Sequence, residues 1–243
     1  MDKQKIEEYR TRNPFTKLSD LIAQAIYDEI ISLNLRPSSK LNINQIASDF
    51  GVSRTPVAEA MSKLMDMGFV VTHPGINGYY VAEINVLDLL DLFSARAALE
   101  CEAAALCAEN ADPEAINKLE ELAFAFQQAI PSGDGKALKE TDLPFHQLLI
   151  ESCQNKYIIK SYNALLPNIR MYQSSWTKFI DPSKENPWAR KVLNQHAAIV
   201  SAIKMHIPSL ARQMMREHIR ESANFVAYSE TTDDPFLLLK RSR

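Results

Sequence analysis

The stretch that decides the fold of the first third of the chain is Leu41-Asn-Ile-Asn-Gln-Ile-Ala-Ser-Asp-Phe-Gly-Val-Ser-Arg-Thr-Pro-Val57. Asn42 stands before apolar residues at helical spacing, which predicts an N-cap and a short helix over residues 43–50. Gly51 should end that helix, and Ser53 is predicted to cap a second helix that carries Pro56 in its first turn, where proline is tolerated. Two helices joined by a tight turn that contains glycine are typical of a helix-turn-helix.

The flanking segments extend this pattern on both sides. Apolar residues recur at three- and four-residue spacing from Leu18 to Leu33, which predicts an amphipathic helix. Residues 69–82 hold two β-branched and aromatic runs around Pro74 and Gly75, which predicts a two-stranded hairpin. Three helices followed by a hairpin form a winged helix-turn-helix. Periodicity alone leaves open the alternative of a small helical domain with an incidental hairpin.

Composition indicates an ordinary globular protein. The chain has 243 residues, 46% of them hydrophobic, with only 6 glycines, which favours helices and two domains. Neither a signal peptide nor an apolar run long enough to span a bilayer stands out, so we expect a cytoplasmic protein without a membrane partner. The three cysteines contain no C-x-x-C pair and are interpreted as buried apolar residues.

Charge gives no support for a nucleic-acid partner. The net charge is -3, and residues 1–82 contain nine Lys or Arg against nine Asp or Glu. An argument for DNA binding therefore has to rest on a motif rather than on a basic composition.

The rest of the chain is a succession of predicted helices without a strand signal. Short polar connections between six long helices indicate an antiparallel bundle. The predicted helices span Leu87–Cys107, Pro113–Ile130, Lys136–Ser152, Lys156–Lys178, Pro187–Lys204 and Ser209–Tyr228. The fold class is therefore mainly α, with a polar lead-in over 1–14, a winged helix-turn-helix over 15–82, a helical domain over 86–230 and a tail over 231–243.

The motif Gly-Val-Ser-Arg-Thr-Pro-Val at residues 51–57, within its surroundings, resembles the DNA-binding domain of the GntR family. The resemblance covers residues 15–82 and implies that the chain binds double-stranded operator DNA. It places DNA contacts at Ser53, Arg54, Thr55, Lys40, Asn44 and Gly78. A helix N-terminus attracts phosphate, and an arginine can lie bidentate against guanine, so the chemistry agrees with this placement. The alternative for Arg54 is a solvated surface arginine.

Two positions depart from the pattern of that family. Ala58 replaces a second arginine that many relatives carry in the recognition helix, and Asn44 stands where some relatives have a basic residue. Both departures affect which operator sequence is bound rather than whether DNA is bound.

One acid and three histidines in the helical part form a candidate metal site. Asp142 and His146 are four residues apart and so share one helix face, while His196 and His218 fall on the last two predicted helices. Imidazole and carboxylate donors suit a divalent transition metal. From spacing alone, buried core histidines without a metal remain the alternative.

The same residues carry a second resemblance, to the ligand-sensing domain of FadR-like GntR regulators in the variety that holds a metal. It spans residues 86–228 and implies that Asp142, His146, His196 and His218 bind zinc, or alternatively nickel or iron. It also implies a cavity in which Arg96 and Arg170 meet a small carboxylate effector. For Arg96 an ion pair with a neighbouring acid is the alternative, and Pro144 makes Asp142 the ligand most open to question.

These patterns together predict a homodimeric transcriptional regulator, without enzymatic activity, whose grip on DNA responds to an organic or sugar acid. Two alternatives stay open at this point. One is a metal-dependent enzyme in which the centre activates water. The other is a DNA-binding protein whose bundle is a metal-free dimerisation scaffold.

Overall fold

A computed structural model describes residues 3–83, 86–132, 135–177 and 191–229, and within them ten helices and three strands. The chain divides into two compact units, Met1–Ile84 and Asn85–Arg243. No helix in the described ranges is long and apolar enough to cross a membrane. The predicted tail over 231–243 lies outside the described residues.

The first unit is a winged helix-turn-helix, as predicted. It contains α1 (Lys3–Arg12), α2 (Leu18–Ile31), β1 (Lys40–Leu41), α3 (Ile43–Phe50), α4 (Arg54–Asp66), β2 (Val70–His73) and β3 (Ile76–Val81). The strands form an antiparallel sheet in the order β1-β3-β2. Apolar faces of α2, α3 and α4 meet in a core that contains Ile22, Ile26, Phe50 and Leu64.

The ends of α3 and α4 follow from local chemistry. The Asn42 side chain accepts hydrogen bonds from the backbone N–H groups of Asn44 and Gln45, at 3.0 and 3.3 Å, which confirms the predicted cap. Gly51 ends α3 with φ 65°, a left-handed conformation that glycine adopts without strain. The prediction for Ser53 was wrong in one respect: it occupies the N-cap position of α4, but its side chain makes no capping hydrogen bond.

Two elements of this unit go beyond the sequence prediction. The polar lead-in forms α1, which packs against α2 and α3 through buried Ile6. The Tyr9 hydroxyl donates a hydrogen bond to the Asp28 carboxylate and ties α1 to α2. The short strand β1 pairs with β3, with Lys40 opposite Tyr80, so the wing has three strands rather than two.

The second unit is a helical bundle, as predicted. Its helices are α5 (Val86–Asn110), α6 (Pro113–Ser132), α7 (Gly135–Ser152), α8 (Lys156–Thr177), α9 (Gln195–Lys204) and α10 (Pro208–Ser229). The longest helix, α5, packs along α10 and also meets α7, α8 and α9. All three cysteines are buried and unpaired, which confirms their interpretation as apolar residues.

Two of these helices contain a proline and continue past it. Pro144 lies inside α7, which starts well before it at Gly135. Asp142 and His146 therefore lie one turn apart on a continuous helix. Pro167 lies inside α8. Of the predicted helix over 187–204, residues 187–190 lie outside the described residues, and α9 covers Gln195–Lys204.

Candidate metal centre and nucleic-acid interface

The recognition-helix residues lie at the exposed start of α4. Arg54 and Thr55 are its first two residues, Ser53 precedes it, and all three side chains are exposed. The other face of α4 is anchored in the core by Val57 and Leu64. A rigid helix thus presents an arginine together with the unpaired N–H groups of its first turn, a combination that attracts phosphate and can reach base edges.

The other three residues predicted to contact DNA lie on α3 and on the wing. Asn44 is exposed in the first turn of α3. Lys40 on β1 and Gly78 on β3 are close neighbours across the sheet, because the Lys40 side chain passes directly over the glycine. The prediction from sequence contained both residues but not their proximity.

The acid and the three histidines converge inside the bundle. Asp142 and His146 come from α7, His196 from α9 and His218 from α10, and one possible ligand atom from each lies within 4.8 Å of the others. The Nε2 atom of His218 is 3.2 Å from His146 Nε2 and 3.3 Å from His196 Nε2. Asp142 Oδ1 is 3.7 Å from His146 Nε2 and 3.6 Å from His196 Nε2. All three imidazoles are buried.

Neighbouring polar groups orient two of these imidazoles. Glu100 Oε2 lies 2.6 Å from His146 Nδ1, and Gln195 Oε1 lies 3.0 Å from His218 Nδ1. Both oxygens are acceptors, so these contacts favour the tautomers with hydrogen on Nδ1, and in both rings Nε2 faces the cluster. Asp142 is held in turn by Gln173, which donates a hydrogen bond of 3.1 Å to Oδ2.

The His196 ring is held by aromatic packing instead. It stacks on Phe145 with ring centroids 4.0 Å apart and an interplanar angle of 15°, and Phe126 lies 4.3 Å away on a tilted plane. Among the described residues, its Nδ1 atom has no hydrogen-bond partner. The ring is therefore positioned by shape rather than by a polar neighbour.

A buried chain of charges backs the cluster. Arg96 Nε lies 2.6 Å from Glu100 Oε1, and both residues are almost completely buried. Burial alone would raise the pKa of Glu100, but Arg96 and then His146 lower it to about 2. Glu100 therefore carries a full negative charge next to His146. Glu100 was not among the residues predicted from the sequence, where it stands out only as an acid one helical turn after Arg96.

The three imidazoles differ in basicity because their neighbours differ. Burial lowers the pKa of His146, but the Glu100 carboxylate outweighs burial and raises this pKa to about 9. Burial and the charge of His146 lower the pKa of His218 to about 3, and burial likewise lowers that of His196 well below its usual value. At neutral pH one of the three imidazoles is therefore positively charged, and it is His146.

The four residues fit a divalent transition metal. With metal–ligand bonds of about 2.0–2.1 Å, tetrahedral ligands lie about 3.4 Å apart. Four of the separations between the candidate ligand atoms run from 3.2 to 3.7 Å, and all of these atoms lie within 4.8 Å of one another. Nitrogen lone pairs that face one another at such distances repel unless a proton or a cation lies between them. In metal sites a polar group typically contacts the ring nitrogen of a histidine that faces away from the metal. His146 and His218 have such contacts at Nδ1.

The two predicted effector residues lie in different settings. Arg96 is buried and paired with Glu100, which is the ion pair that the sequence left open as the alternative. Arg170 is exposed on α8, next to buried Ile169. Because Arg170 is exposed, it is not enclosed beside the four candidate ligands. Its contact with an effector stays a prediction.

Both units match known protein families. Residues 18–81 match the gntR family of bacterial regulatory proteins, and residues 91–221, more than half of the chain, match the FCD domain. The chain belongs to the FCD-domain regulators of the gntR family. This FCD regulator is thus a DNA-binding transcriptional regulator with a ligand-sensing domain.

Its relatives are named as transcriptional regulators or repressors rather than as enzymes. The repressor RspR of Escherichia coli is 27% identical over 217 residues, which cover 88% of this chain and 91% of the relative. The repressor GlaR of the same organism is 26% identical over 196 residues, which cover 79% and 88%.

Solved structures share the fold of this FCD regulator. The structure of Escherichia coli McbR/YncC superposes with a TM-score of 0.70 at 20% identity and covers 90% of this chain and 100% of its own. A GntR regulator from Rhodococcus has a TM-score of 0.67 at 19% identity, covering 88% and 99%. At these identities the likeness bears on the fold alone.

Proposed function

We propose that this regulator binds operator DNA through α4 and the wing, and that a small carboxylate held at a metal centre in the bundle controls that binding. The observation that carries the proposal is the convergence of Asp142, His146, His196 and His218 on one buried point. Zinc is the metal that this donor set favours, with nickel and iron as alternatives.

The four residues would hold the metal, and the polar neighbours would set its properties. A divalent cation supplies positive charge that attracts an anionic group, while Glu100 and Asp142 keep the net charge of the surroundings low. Organic and sugar acids are the ligands that such a centre selects. Arg96 is a second positive group, and it is paired with Glu100. It therefore binds an effector only if the guanidinium contacts the effector and Glu100 together, or if its ion pair with Glu100 breaks.

Control of DNA binding follows from thermodynamic linkage. If the acid binds one arrangement of a two-unit protein better than another, it changes operator affinity by the same factor by which DNA changes affinity for the acid. In a homodimer the quantity that changes is the spacing of two recognition helices, which has to match two operator half-sites.

Metal analysis tests the centre itself. Protein purified without chelator should contain about one metal ion per chain, and His196→Ala and His218→Ala should each abolish this while circular dichroism shows an intact fold. His206→Ala is the matched control, since His206 is on the same unit, bonds the Ala108 carbonyl and lies outside the cluster. Full metal content in both cluster variants would reject the ligand set.

A thermal-shift screen tests the effector class. The protein is scanned against a panel of organic and sugar acids with and without EDTA, because a ligand that binds only the folded state raises the melting temperature. A stabilising acid whose effect disappears with EDTA supports the proposal. If neither the acids nor EDTA change the melting temperature, the bundle is a metal-free scaffold.

A further inference from the structure

One face of the three-stranded wing is turned away from the core and carries the cationic side chain of Lys40. Side chains alternate across a strand, so Gly78 and Tyr80 share a face, while Tyr79 and buried Val81 are on the other. Lys40 is directly opposite Tyr80 on one side, and His73 contacts Tyr80 from the other. We call the set Lys40, His73, Gly78 and Tyr80 the outer wing face.

Tyr80 forms the centre of this face. The Lys40 ammonium lies 5.9 Å from the centroid of the Tyr80 ring, and the His73 ring centroid lies 4.8 Å from it. An ammonium at this distance from an aromatic face is attracted by the ring. Among the described residues no carboxylate pairs with Lys40, so its charge is available to an outside anion.

Gly78 leaves the space that the Lys40 side chain occupies. A methyl group placed on Gly78 would lie 2.9 Å from Lys40 Cε, 3.6 Å from Lys40 Nζ and 3.7 Å from the Tyr80 ring. The group that would have to move is the end of a flexible side chain rather than backbone. A larger residue at this position therefore displaces the end of the Lys40 side chain, and it also strains the backbone, because Gly78 has φ +131°.

We propose that Gly78 serves DNA binding through Lys40: by lacking a side chain it lets Lys40 lie against Tyr80 with its ammonium directed at the phosphate backbone of duplex DNA. Gly78 is then a positioning residue rather than a place where the wing backbone touches a groove. This inference rests on the proposed DNA contact of Lys40. It adds that the outer wing face holds the Lys40 ammonium in one position.

A double-mutant cycle tests the proposal. Wild type, Lys40→Ala, Gly78→Ala and the double variant are titrated against a short duplex DNA of arbitrary sequence at several salt concentrations, with fluorescence anisotropy as the readout. Loss of one phosphate contact should weaken binding about five- to tenfold at 0.1 M salt and reduce the salt slope by about 0.9. We expect both single variants to show this loss, and the double variant to bind no worse than Lys40→Ala.

Gly75→Ala is the matched control. Gly75 lies in the same hairpin with φ +75°, and Gly78 has φ +131°, so both alanines are strained, but a methyl group on Gly75 would have no neighbour within 4 Å. Any loss of affinity in Gly75→Ala should add to that of Lys40→Ala in a parallel cycle, because Gly75 does not contact Lys40. Should Gly78→Ala fail to fold, Tyr80→Leu replaces it in the cycle, because removal of the ring also frees Lys40.

Each of the other outcomes contradicts a different part of the proposal. Losses that add in the double variant would show that Gly78 acts independently of Lys40 and overturn the proposal. Unchanged affinity and salt slope in Lys40→Ala would overturn it as well. Absence of any duplex binding by the wild type would instead reject the DNA-binding role on which the inference rests.

Discussion

Glu100 is the residue in the bundle on which most depends, since one carboxylate holds both His146 and Arg96. We expect Glu100→Gln to weaken metal binding by about 10- to 100-fold, because partners that orient a ligating histidine have effects of this size. Competition with a chromophoric chelator measures the change. Glu102→Gln is the control, as Glu102 lies on the same helix but is exposed and pairs with Arg212.

Loss of the Glu100 charge also leaves Arg96 buried without its partner, which by itself destabilises a protein by about 3–5 kcal/mol. The double variant Glu100→Gln/Arg96→Met removes that second effect and should recover most of the stability in urea denaturation. Its metal affinity should stay low. Recovery of metal affinity together with stability would mean that Glu100 acts on the fold rather than on His146.

His146 gives the centre a defined dependence on pH. Its pKa is raised to about 9, so the metal-free protein carries a proton there at pH 7, and that proton must leave when a metal binds. Metal affinity should therefore rise about tenfold per pH unit from pH 7 to about pH 9 and then level off. Calorimetry at pH 7 in buffers of different ionisation enthalpy should count about one proton released per metal. A count of zero would contradict the assigned protonation of His146.

Arg54 is the residue on which operator recognition should depend most. Arg54→Ala is expected to weaken operator binding by about 1–3 kcal/mol, because a bidentate contact to a base is lost. The measurement is a titration of operator DNA at fixed salt. Lys118→Ala removes one positive charge from the helical unit, where Lys118 pairs with Glu114, and should leave affinity unchanged.

At the scale of elements, the cap of α3 makes a prediction about stability. Asn42→Ala should lower the free energy of unfolding by about 1 kcal/mol, since two N–H groups of α3 lose their acceptor. Ser53→Ala is the matched comparison at the start of α4 and should cost less, because the Ser53 side chain makes no such bond. Equal losses in urea denaturation would contradict the difference between the two caps.

The elements that the sequence predicted well are those with local signals. Asn42 and Gly51 bracket α3 so tightly that its ends were predicted to the residue. By contrast, β1 has two residues and no alternation to detect, and it exists only because Lys40 and Leu41 pair with β3. Helix α1 has few apolar residues and is held by tertiary contacts of Ile6 and Tyr9, which no local pattern reveals.

The candidate metal centre was also predictable only in part from the sequence. The candidate ligand set was implied by the resemblance to a family and by residue type, so the four residues that converge in the bundle could be named in advance. The residues that orient these histidines could not be named in advance. Glu100 and Gln195 contact them only because the helices that carry them meet after folding. Residues that act from behind a site carry no spacing signal of their own.

For the whole molecule, the central expectation is a homodimer. Sedimentation should give a particle of twice 27.5 kDa, and the operator should be a pseudo-palindrome whose half-sites lie about 34–36 Å apart or a multiple of that. Insertion of about half a helical turn between the half-sites should abolish tight binding, whereas a full turn should be tolerated better. A monomer that binds one half-site as tightly as the full operator would contradict this expectation.

The packing of His196 offers a way to observe the bundle directly. Its imidazole is enclosed by Phe145 and Phe126, and Phe145 is also the residue next to His146. The π electrons of two aromatic rings so close shift the magnetic resonances of nearby protons. The ring protons of His196 should thus appear at unusual frequencies and form an internal spectroscopic probe, which reports in one spectrum on any event that moves α7 relative to α9.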